Sequence, residues 1–381
     1  MLRKWNRMLK GYLRKVKIFF GRLIWDKKRK LDKDMLIKPN NIIKENKINS
    51  ILFLRSDGKI GDMVVSTFMF REIKKKYPDI KIGVITKGGA RDIISNNPYV
   101  DIIYDYPSKI DALMKLAGII QKGKYDLLLE FFEEIKMKEI MFINLCKVRI
   151  NMGLEKSKWK LFDLSVDAGK DFKWNEHISY RYLAYLKRLG ILVDFKKIKY
   201  DIYFDNDRLE KLDILAEKYK KEKENYKKIV VVNPYGASKH RNFSRDTLNG
   251  IINELENCKV ILLYHGDKYK EVFDIAKNYD NVEVPIGIES ILDSAMYVKI
   301  SDVVISPDTA IVHVAEAFKK GVIGVYEYDG GILGYGHIVW GPKDLNRAKL
   351  VFCPKRKSMY DDFNVNGFDV NEMKNIIEKI K

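Results

Sequence analysis

Short apolar runs alternate with amphipathic stretches along most of the chain. The runs are three to six residues long and the stretches repeat at the three- and four-residue steps of a helix, which is the pattern of parallel α/β sheets. In the first half, the segment 62–77 predicts a helix because Val65, Phe68, Met69 and Ile73 share one face. Predicted strands in this half are 51–55, 81–86, 102–104, 125–130 and 148–152.

The same alternation returns after a charged segment. A predicted helix from about residue 207 ends in the charged run 220–228, which we interpret as a solvated helix end and linker. Predicted strands beyond it are 229–233, 260–264, 303–306 and 322–326, with helices near 245–256, 269–278, 290–299 and 309–318. Two α/β halves predict a cleft, with ligands at the carboxyl ends of the strands. We expect an extension over 1–48, domains over 49–206 and 229–381, and a linker helix over 207–228.

Charge changes the interpretation of the first 30 residues. The 381-residue chain has a formal net charge of +19, and residues 1–30 hold twelve basic side chains against the single acid Asp26. Apolar residues recur there at helical spacing, so the segment predicts a basic amphipathic helix lying in the plane of an anionic membrane. A helix packed on the body of the protein remains an alternative. Nucleic acid is not an expected partner, because Phe19, Phe20 and Trp25 suit lipid better than phosphate.

Cysteine usage indicates the compartment. Cys146, Cys258 and Cys353 are far apart and match no spacing of zinc ligands or of a disulfide framework. We therefore expect a reducing cytoplasm.

The turn after the first strand carries the first candidate chemistry. Gly58 and Gly61 stand where a strand must turn into a helix, and Asp62 follows them. The third glycine of a dinucleotide fingerprint is absent, and the carboxylate would repel a diphosphate at this helix start. From these residues alone, Asp62 could be a helix N-cap.

Two segments of the second half, NPYGASKHRNFS at 233–244 and SDVVISPDTAIVHVAEAF at 301–318, resemble glycosyltransferase family 9, the bacterial heptosyltransferases of lipopolysaccharide core assembly. The family motif Asp-Thr-Gly-x-x-His-x-Ala-Ala-Ala aligns with Asp308, Thr309, Ala310, His313, Ala315, Glu316 and Ala317. The Gly-Asp of the family's first loop aligns with Gly61 and Asp62, ahead of Ser66 and Thr67, and its lysine aligns with Lys239. Departures from the pattern are Ala310, Glu316, Gly321, Arg241 and Asn242.

The resemblance implies a GT-B fold, with two Rossmann-like domains facing a cleft, and an inverting, metal-independent transfer of heptose from ADP-heptose to a lipopolysaccharide or lipooligosaccharide core. Asp62 would be the catalytic base. The implied donor-binding residues are Ser238, Lys239, Asp308, Thr309, Ala310 and His313; those on the acceptor side are Lys59, Gly61 and Glu130. A helix start at Asp308 and Thr309 suits a diphosphate leaving group, and Lys239 would offset its charge. An N-cap at Asp308 or Thr309, a core His313 and a solvated Lys239 are the alternatives.

The expected partners are a nucleotide sugar, a lipid-linked core oligosaccharide and the anionic inner face of the inner membrane, where the cytoplasmic protein would be peripheral. No cofactor or metal is expected, because Asp205 and Asp207 are better explained as the cap of a helix than as a metal motif. The glycine-rich segment 328–336 is expected to be a loop that closes over the donor or an ordinary surface loop. Transfer of another activated sugar, or a non-catalytic nucleotide-binding membrane adaptor, are the rival functions.

Overall fold

The computed structural model describes residues 2–27, 37–236, 239–328, 336–354 and 364–380, with the backbone alone for 2–4, 6–8, 10 and 239. These residues form two six-stranded sheets whose strands are all parallel. The predicted α/β class is therefore confirmed.

The first sheet has the strand order β3-β2-β1-β4-β5-β6. Its strands are β1 (Ser50–Leu54), β2 (Lys81–Thr86), β3 (Ile102–Asp105), β4 (Leu127–Glu130), β5 (Ile150–Leu154) and β6 (Leu164–Val166). The helices of this half are α1 (Leu2–Trp25), α2 (Ile42–Glu45), α3 (Ile60–Lys76), α4 (Gly89–Ile94), α5 (Ile110–Lys122), α6 (Met137–Cys146) and α7 (Ser179–Leu189). Central strands β1 and β4 are buried along their whole length, as their unbroken apolar runs predict.

The second sheet has the order β12-β11-β10-β7-β8-β9. Its strands are β7 (Lys228–Val232), β8 (Cys258–Leu262), β9 (Val282–Glu283), β10 (Val303–Pro307), β11 (Gly321–Glu327) and β12 (Ala348–Cys353). Around it lie α8 (Asn206–Glu222), α9 (Arg245–Asn253), α10 (Tyr269–Ala276), α11 (Ile291–Ile300), α12 (Ala310–Ala317), α13 (Gly336–Val339) and α14 (Glu372–Lys379). Single-turn 3-10 helices cover Phe195–Lys197, Lys239–Arg241 and Gly266–Lys268.

The nine predicted strands are all present, with ends shifted by at most two residues. The unpredicted strands β6, β9 and β12 lie at sheet edges. Helix α8 begins after Asp205, whose side chain accepts a hydrogen bond from the backbone N–H of Arg208 at 2.9 Å, so the predicted helix cap is confirmed. The domain boundaries stay predictions.

The two halves meet through the first turns of α3 and α12. A Cβ built on Gly61 would lie 3.5 Å from Ala310 Cα and 3.1 Å from His313 Cδ2. Because each helix follows a central strand of its sheet, this contact joins the carboxyl edges at which parallel α/β folds bind ligands. Within the described residues, no helix combines the length and apolarity needed to cross a bilayer.

Candidate active site

Asp62 is the third residue of α3 and lies beside the cleft. Lys59 occupies the N-cap position, without a side-chain capping bond, so the interpretation of Asp62 as the N-cap is wrong. The Asp62 carboxylate instead forms an ion pair with Arg55, whose Nη2 lies 3.1 Å from Oδ1. The Asp62 side chain is 17% exposed and that of Arg55 only 3%. The Asp62 carboxylate is thus partly exposed beside the cleft and is paired with a buried arginine.

Burial and charge act in opposite directions on Asp62. Desolvation raises the pKa of Asp62 above its ordinary value of 3.8, while the Arg55 charge lowers it and the neighbouring Asp57 raises it. Arg55 is held by Tyr182, whose Oη accepts from Nη1 at 3.3 Å, and its guanidinium lies 5.4 Å from the Phe131 ring centroid. The net effect is a carboxylate that is more basic than an exposed aspartate.

Asp62 opens onto a cavity of about 470 Å³. The lining is polar on one side and aromatic on the other: Asp57, Lys59, Asp62, Phe131, Phe132, Glu133, Glu134, Leu154, Ile178, Arg181, Tyr182, Tyr185 and Trp340. Among the described lining residues, Trp340 alone comes from the second half. Its segment is fixed by Ile178, whose N–H donates to Val339 O at 2.9 Å. A cavity of this size and lining suits a sugar acceptor.

Glu130 lies beneath that cavity and not on its surface. Its carboxylate is fully buried, 3.4 Å from Lys156 Nζ, and accepts the backbone N–H of Phe132 at 2.8 Å. Burial raises the pKa of Glu130 to about 7, against the opposing Lys156 charge. Of the predicted acceptor-side residues, Lys59 lines the cavity and Gly61 lies at the contact with α12, whereas Glu130 would act through the loop that it holds.

Four of the predicted donor-side residues lie at the start of α12: Asp308, Thr309, Ala310 and His313. Thr309 is the N-cap, with Oγ1 accepting the Ile311 N–H at 3.3 Å, so the N-cap alternative is correct for Thr309. Asn233 Nδ2 donates to Thr309 Oγ1 at 3.2 Å and to Ser306 Oγ at 2.9 Å. These bonds fix the helix start, whose backbone N–H groups favour an anion.

Asp308 and His313 have different environments at this helix start. Arg241 Nη1 donates to Asp308 Oδ2 at 2.9 Å, which places a half-exposed guanidinium beside the helix. His313 is buried; desolvation, with the neighbouring His177, lowers its pKa to about 3, so the ring is neutral. Its Nδ1 has no hydrogen-bond partner among the described residues. His313 therefore packs α12 against Gly61.

Two donor-side predictions concern residues that are only partly described. Lys239 begins a 3-10 helix, but its side chain lies outside the described residues, as does the whole of Ser238. The same holds for 329–335 of the predicted loop 328–336. No cluster of three or more metal-binding side chains occurs in the part of the chain that is described.

Sequence reasoning missed Arg55, Arg181 and Trp340 as members of the site. Arg55 ends an apolar run, and that position at a strand's carboxyl end was a usable signal. Arg181 stacks over Trp174 at 4.2 Å and lies on α7, for which no helix was predicted. Trp340 reaches the cavity from the opposite half, and no spacing in the sequence indicates that contact.

Known proteins share this architecture. The putative lipopolysaccharide heptosyltransferase 4 of Escherichia coli (strain K12) is 24% identical over 348 residues, covering 89% of each chain. The solved glycosyl transferase family 9 protein of Veillonella parvula DSM 2008 superposes with a TM-score of 0.67 at 13% identity, covering 87% of this chain and 96% of that one. E. coli ADP-heptose lps heptosyltransferase II gives 0.65 at 14% identity, covering 86% and 97%.

These structural likenesses confirm the GT-B type of fold. The sequence profile of glycosyltransferase family 9 (heptosyltransferase) matches residues 113–330, which is more than half of the chain. The predicted family is thereby confirmed: the chain is a glycosyltransferase and belongs to family 9, the heptosyltransferases.

Proposed function

We propose that this enzyme transfers heptose from ADP-heptose to a lipid-linked lipopolysaccharide or lipooligosaccharide core, with inversion at the anomeric carbon. The observation that carries the proposal is the position of Asp62, which faces a 470 Å³ cavity one residue from the contact between α3 and α12. This position supports the proposal, because Asp62 as the base and the start of α12 as the anion site would lie on opposite sides of one cleft. E. coli heptosyltransferase II, a relative in fold, bears ADP-heptose in its name, which supports this donor.

In the proposed reaction, the acceptor hydroxyl lies in the cavity and gives its proton to the Asp62 carboxylate. Its oxygen forms a bond to the anomeric carbon while the bond from that carbon to the phosphate oxygen breaks. The electron pair leaves with the nucleoside diphosphate, whose charge is stabilised by the start of α12, by Lys239 and by Arg241. Attack opposite to the leaving group inverts the configuration. Asp308, Thr309 and Ala310 would contact the donor, and Lys59 the acceptor.

Asp62→Asn tests the proposed base. Asparagine retains the shape and one oxygen for Arg55 but cannot accept a proton at neutral pH, so kcat should fall by about 100-fold or more. Asparagine removes the desolvation cost of the carboxylate but also its ion pair with the buried Arg55, and these two effects oppose each other, so the melting temperature should change little. Asp57→Asn, which alters another carboxylate of the same cavity, is the matched control. An active Asp62→Asn enzyme would transfer the role of base to Asp57 or Glu130.

A donor screen tests the sugar. A ligand at 100 times its Kd stabilises the folded state by about 2.7 kcal/mol, so ADP-heptose should raise the melting temperature more than UDP-, GDP- or CMP-sugars at equal concentration. A larger shift with another nucleotide sugar would replace ADP-heptose as the donor. If no nucleotide sugar binds or turns over, while nucleic acid binds with a steep salt dependence, the rival adaptor function is favoured.

The proposed location is the cytoplasmic side of the inner membrane, with α1 in contact with its anionic surface. The lipid-linked acceptor and the basic, amphipathic first 25 residues support this location. Sedimentation with anionic vesicles tests it: deletion of residues 1–30 should abolish binding while turnover of a delipidated acceptor persists.

A further inference from the structure

Helix α1 has two opposite faces with different surroundings. At 3.6 residues per turn, Ile18, Gly21 and Trp25 share one face, and these residues are buried or half-buried. The opposite face is apolar and exposed along five turns: Trp5 is 68% exposed, Leu9 44%, Tyr12 66%, Phe19 60%, Phe20 55% and Leu23 58%. A helix that packed for stability alone would bury its wide apolar face. Among the described residues, this exposed face has no partner of the kind that its composition suits.

The last turns of α1 fix the helix to the first half. A Cβ built on Gly21 would lie 2.7 Å from Met137 Cγ, which shows how closely the backbone approaches α6. Asn144 donates to Trp25 O at 2.8 Å, and the Leu161 N–H donates to the buried Asp26 at 2.8 Å. The helix is thus held in one orientation by its carboxyl end.

That orientation directs α1 past the mouth of the cavity. Helix α6 joins parallel strands, so it runs from the carboxyl edge of the sheet at Met137 toward the amino edge at Asn144. Gly21 lies at its start and Trp25 near its end, so α1 runs the same way. The preceding residues 2–20 must extend beyond the carboxyl edge, by roughly 28 Å at 1.5 Å per residue. Arg14 forms an ion pair there with Glu134, which lines the cavity of Asp62.

We propose that the exposed face of α1 docks on an anionic bilayer and thereby holds that bilayer at the mouth of the acceptor cavity, so that a lipid-linked acceptor enters directly from the membrane plane. The delivery of acceptor rests on the proposed function; the docking geometry does not. Charge complementarity selects lipid as the occupant: Lys15 and Lys17 are exposed beside the apolar face, and aromatic rings with basic flanks suit a headgroup region. A second copy of this chain would carry the same positive charge.

Vesicle binding tests the docking face. Phe19→Glu with Phe20→Glu changes two exposed side chains that contribute nothing to the core, so the fold should persist. Partitioning onto vesicles of phosphatidylcholine with 30 mol% phosphatidylglycerol should fall at least about tenfold, since the variant loses two apolar rings and places two negative charges against an anionic surface. Leu192→Glu, at a site 82% exposed outside α1, is the matched control and should bind as wild type. Undiminished binding by the double variant would overturn the proposal.

Fluorescence quenching tests the geometry. The native cysteines 146, 258 and 353 are buried, so a thiol-reactive fluorophore can be placed on Glu133→Cys at the cavity or on Leu192→Cys beyond the carboxyl end of α7. With nitroxide-labelled lipid in the same vesicles, the label at 133 should be quenched at least about twofold more than the label at 192. Equal quenching, or stronger quenching at 192, would overturn the proposed orientation. Concentration-dependent dimerisation that masks α1 without lipid would assign the face to a second copy instead.

This experiment needs neither donor nor acceptor, so its failure is distinct from failure of the proposed function. Activity supplies the link between them. In Phe19→Glu with Phe20→Glu, kcat/KM on an acceptor embedded in vesicles should fall about tenfold, whereas kcat/KM on a delipidated acceptor should equal that of wild type. Equal losses on both acceptors would show that α1 affects the enzyme in another way.

Discussion

At the scale of single residues, the pairing of Asp62 with Arg55 decides how basic the candidate catalytic carboxylate is. Desolvation raises the pKa of Asp62 and so favours the protonated form, which cannot take a proton, whereas the Arg55 charge lowers that pKa. Arg55 supplies the positive charge beside the Asp62 carboxylate. Because Arg55 is nearly completely buried, water and mobile ions cannot take its place there. We therefore assign Arg55 as a positioning residue for the base.

Replacement of Arg55 should change the pH profile of the enzyme. Arg55→Gln removes the charge that lowers the pKa of Asp62, so the acid limb of kcat/KM should move to higher pH. Arg55→Lys should reverse most of that movement, because it restores the charge without the planar fork. The measurement is kcat/KM from pH 5 to 9 for the three proteins. A loss of activity that is the same at every pH would mean that Arg55 acts on structure alone.

Lys239 is the second residue whose role can be measured. If its ammonium stabilises the departing diphosphate, Lys239→Ala should cost about 2 to 4 kcal/mol of transition-state stabilisation, with little change in the melting temperature. Arg241→Ala is a useful comparison, since Arg241 pairs with Asp308 beside the same helix. Steady-state kinetics with both variants distinguishes the two cations. Wild-type rate and donor affinity in Lys239→Ala would remove it from the site.

The sequence allowed some of these residues to be predicted, and physics explains which. Asp62, Asp308 and His313 stand in short motifs where residue type and spacing are local properties of the chain. Arg181 and Trp340 line the cavity of Asp62 only because the fold brings together residues more than 100 positions apart along the chain. That kind of proximity leaves no periodicity to detect, so folding must be known before such residues can be assigned.

At the scale of secondary-structure elements, the contact of α3 with α12 sets the distance between the proposed base and the proposed donor site. Gly61 is required there by space, since an added Cβ would be 3.1 Å from His313 Cδ2 and 3.5 Å from Ala310 Cα. The histidine is buried and cannot move far, because close-packed interiors transmit small displacements to their neighbours. A methyl group at this position should therefore shift one helix relative to the other.

Gly61→Ala should impair catalysis more than stability. A displacement of a few tenths of an ångström between α3 and α12 would misplace Asp62 relative to the donor, and we expect kcat to fall by about tenfold or more. Gly118→Ala on α5, where a Cβ would meet nothing within 4 Å, is the matched control and should stabilise the protein by about 0.5 to 1 kcal/mol. Kinetics and thermal melts of both variants provide the check. Full activity in Gly61→Ala would show that the contact tolerates movement.

Prediction of the elements themselves succeeded where burial is complete. Central strands such as β1 and β10 are apolar on both faces and stand out as uninterrupted runs. The strands that escaped prediction are edges: β9 has two residues, and β12 alternates buried Ala348 and Val351 with exposed Lys349. An edge strand is covered on fewer sides, so its composition approaches that of a loop.

At the scale of the whole molecule, buried titratable groups in different places act together on stability. Burial raises the pKa of Glu130 and of Glu316 to about 7 in each case, from an ordinary 4.5. Burial likewise lowers the pKa of His177 to about 4 and that of His313 to about 3, from 6.5. Lys156 and Lys343 oppose the carboxyl shifts without cancelling them.

Between about pH 4.5 and 6.5, the carboxyl groups and the imidazoles change the free energy of unfolding in opposite directions. In that window the two native carboxyls keep protons that the unfolded chain has released, so their contribution to stability falls as pH rises. The two imidazoles are neutral in the native state but protonated in the unfolded chain, so their contribution rises with pH. The native state holds two extra protons on the carboxyls, and the unfolded chain holds two extra protons on the imidazoles. These numbers are equal, so the four groups together predict a free energy of unfolding that hardly changes across the window.

Replacement of both buried glutamates should reveal the effect of the two histidines on the pH dependence of stability. In Glu130→Gln with Glu316→Gln, the free energy of unfolding should increase with pH between 4.5 and 6.5, with a slope of at most about 2.7 kcal/mol per pH unit for two protons. Urea unfolding at pH 4.5, 5.5 and 6.5 measures that slope. The control is Glu210→Gln with Glu217→Gln on the exposed side of α8, which should follow wild type. A flat profile in the double variant would mean that the histidines titrate alike in both states. The two histidines would then be accessible to water in the native state, and α12 would not pack tightly against Gly61.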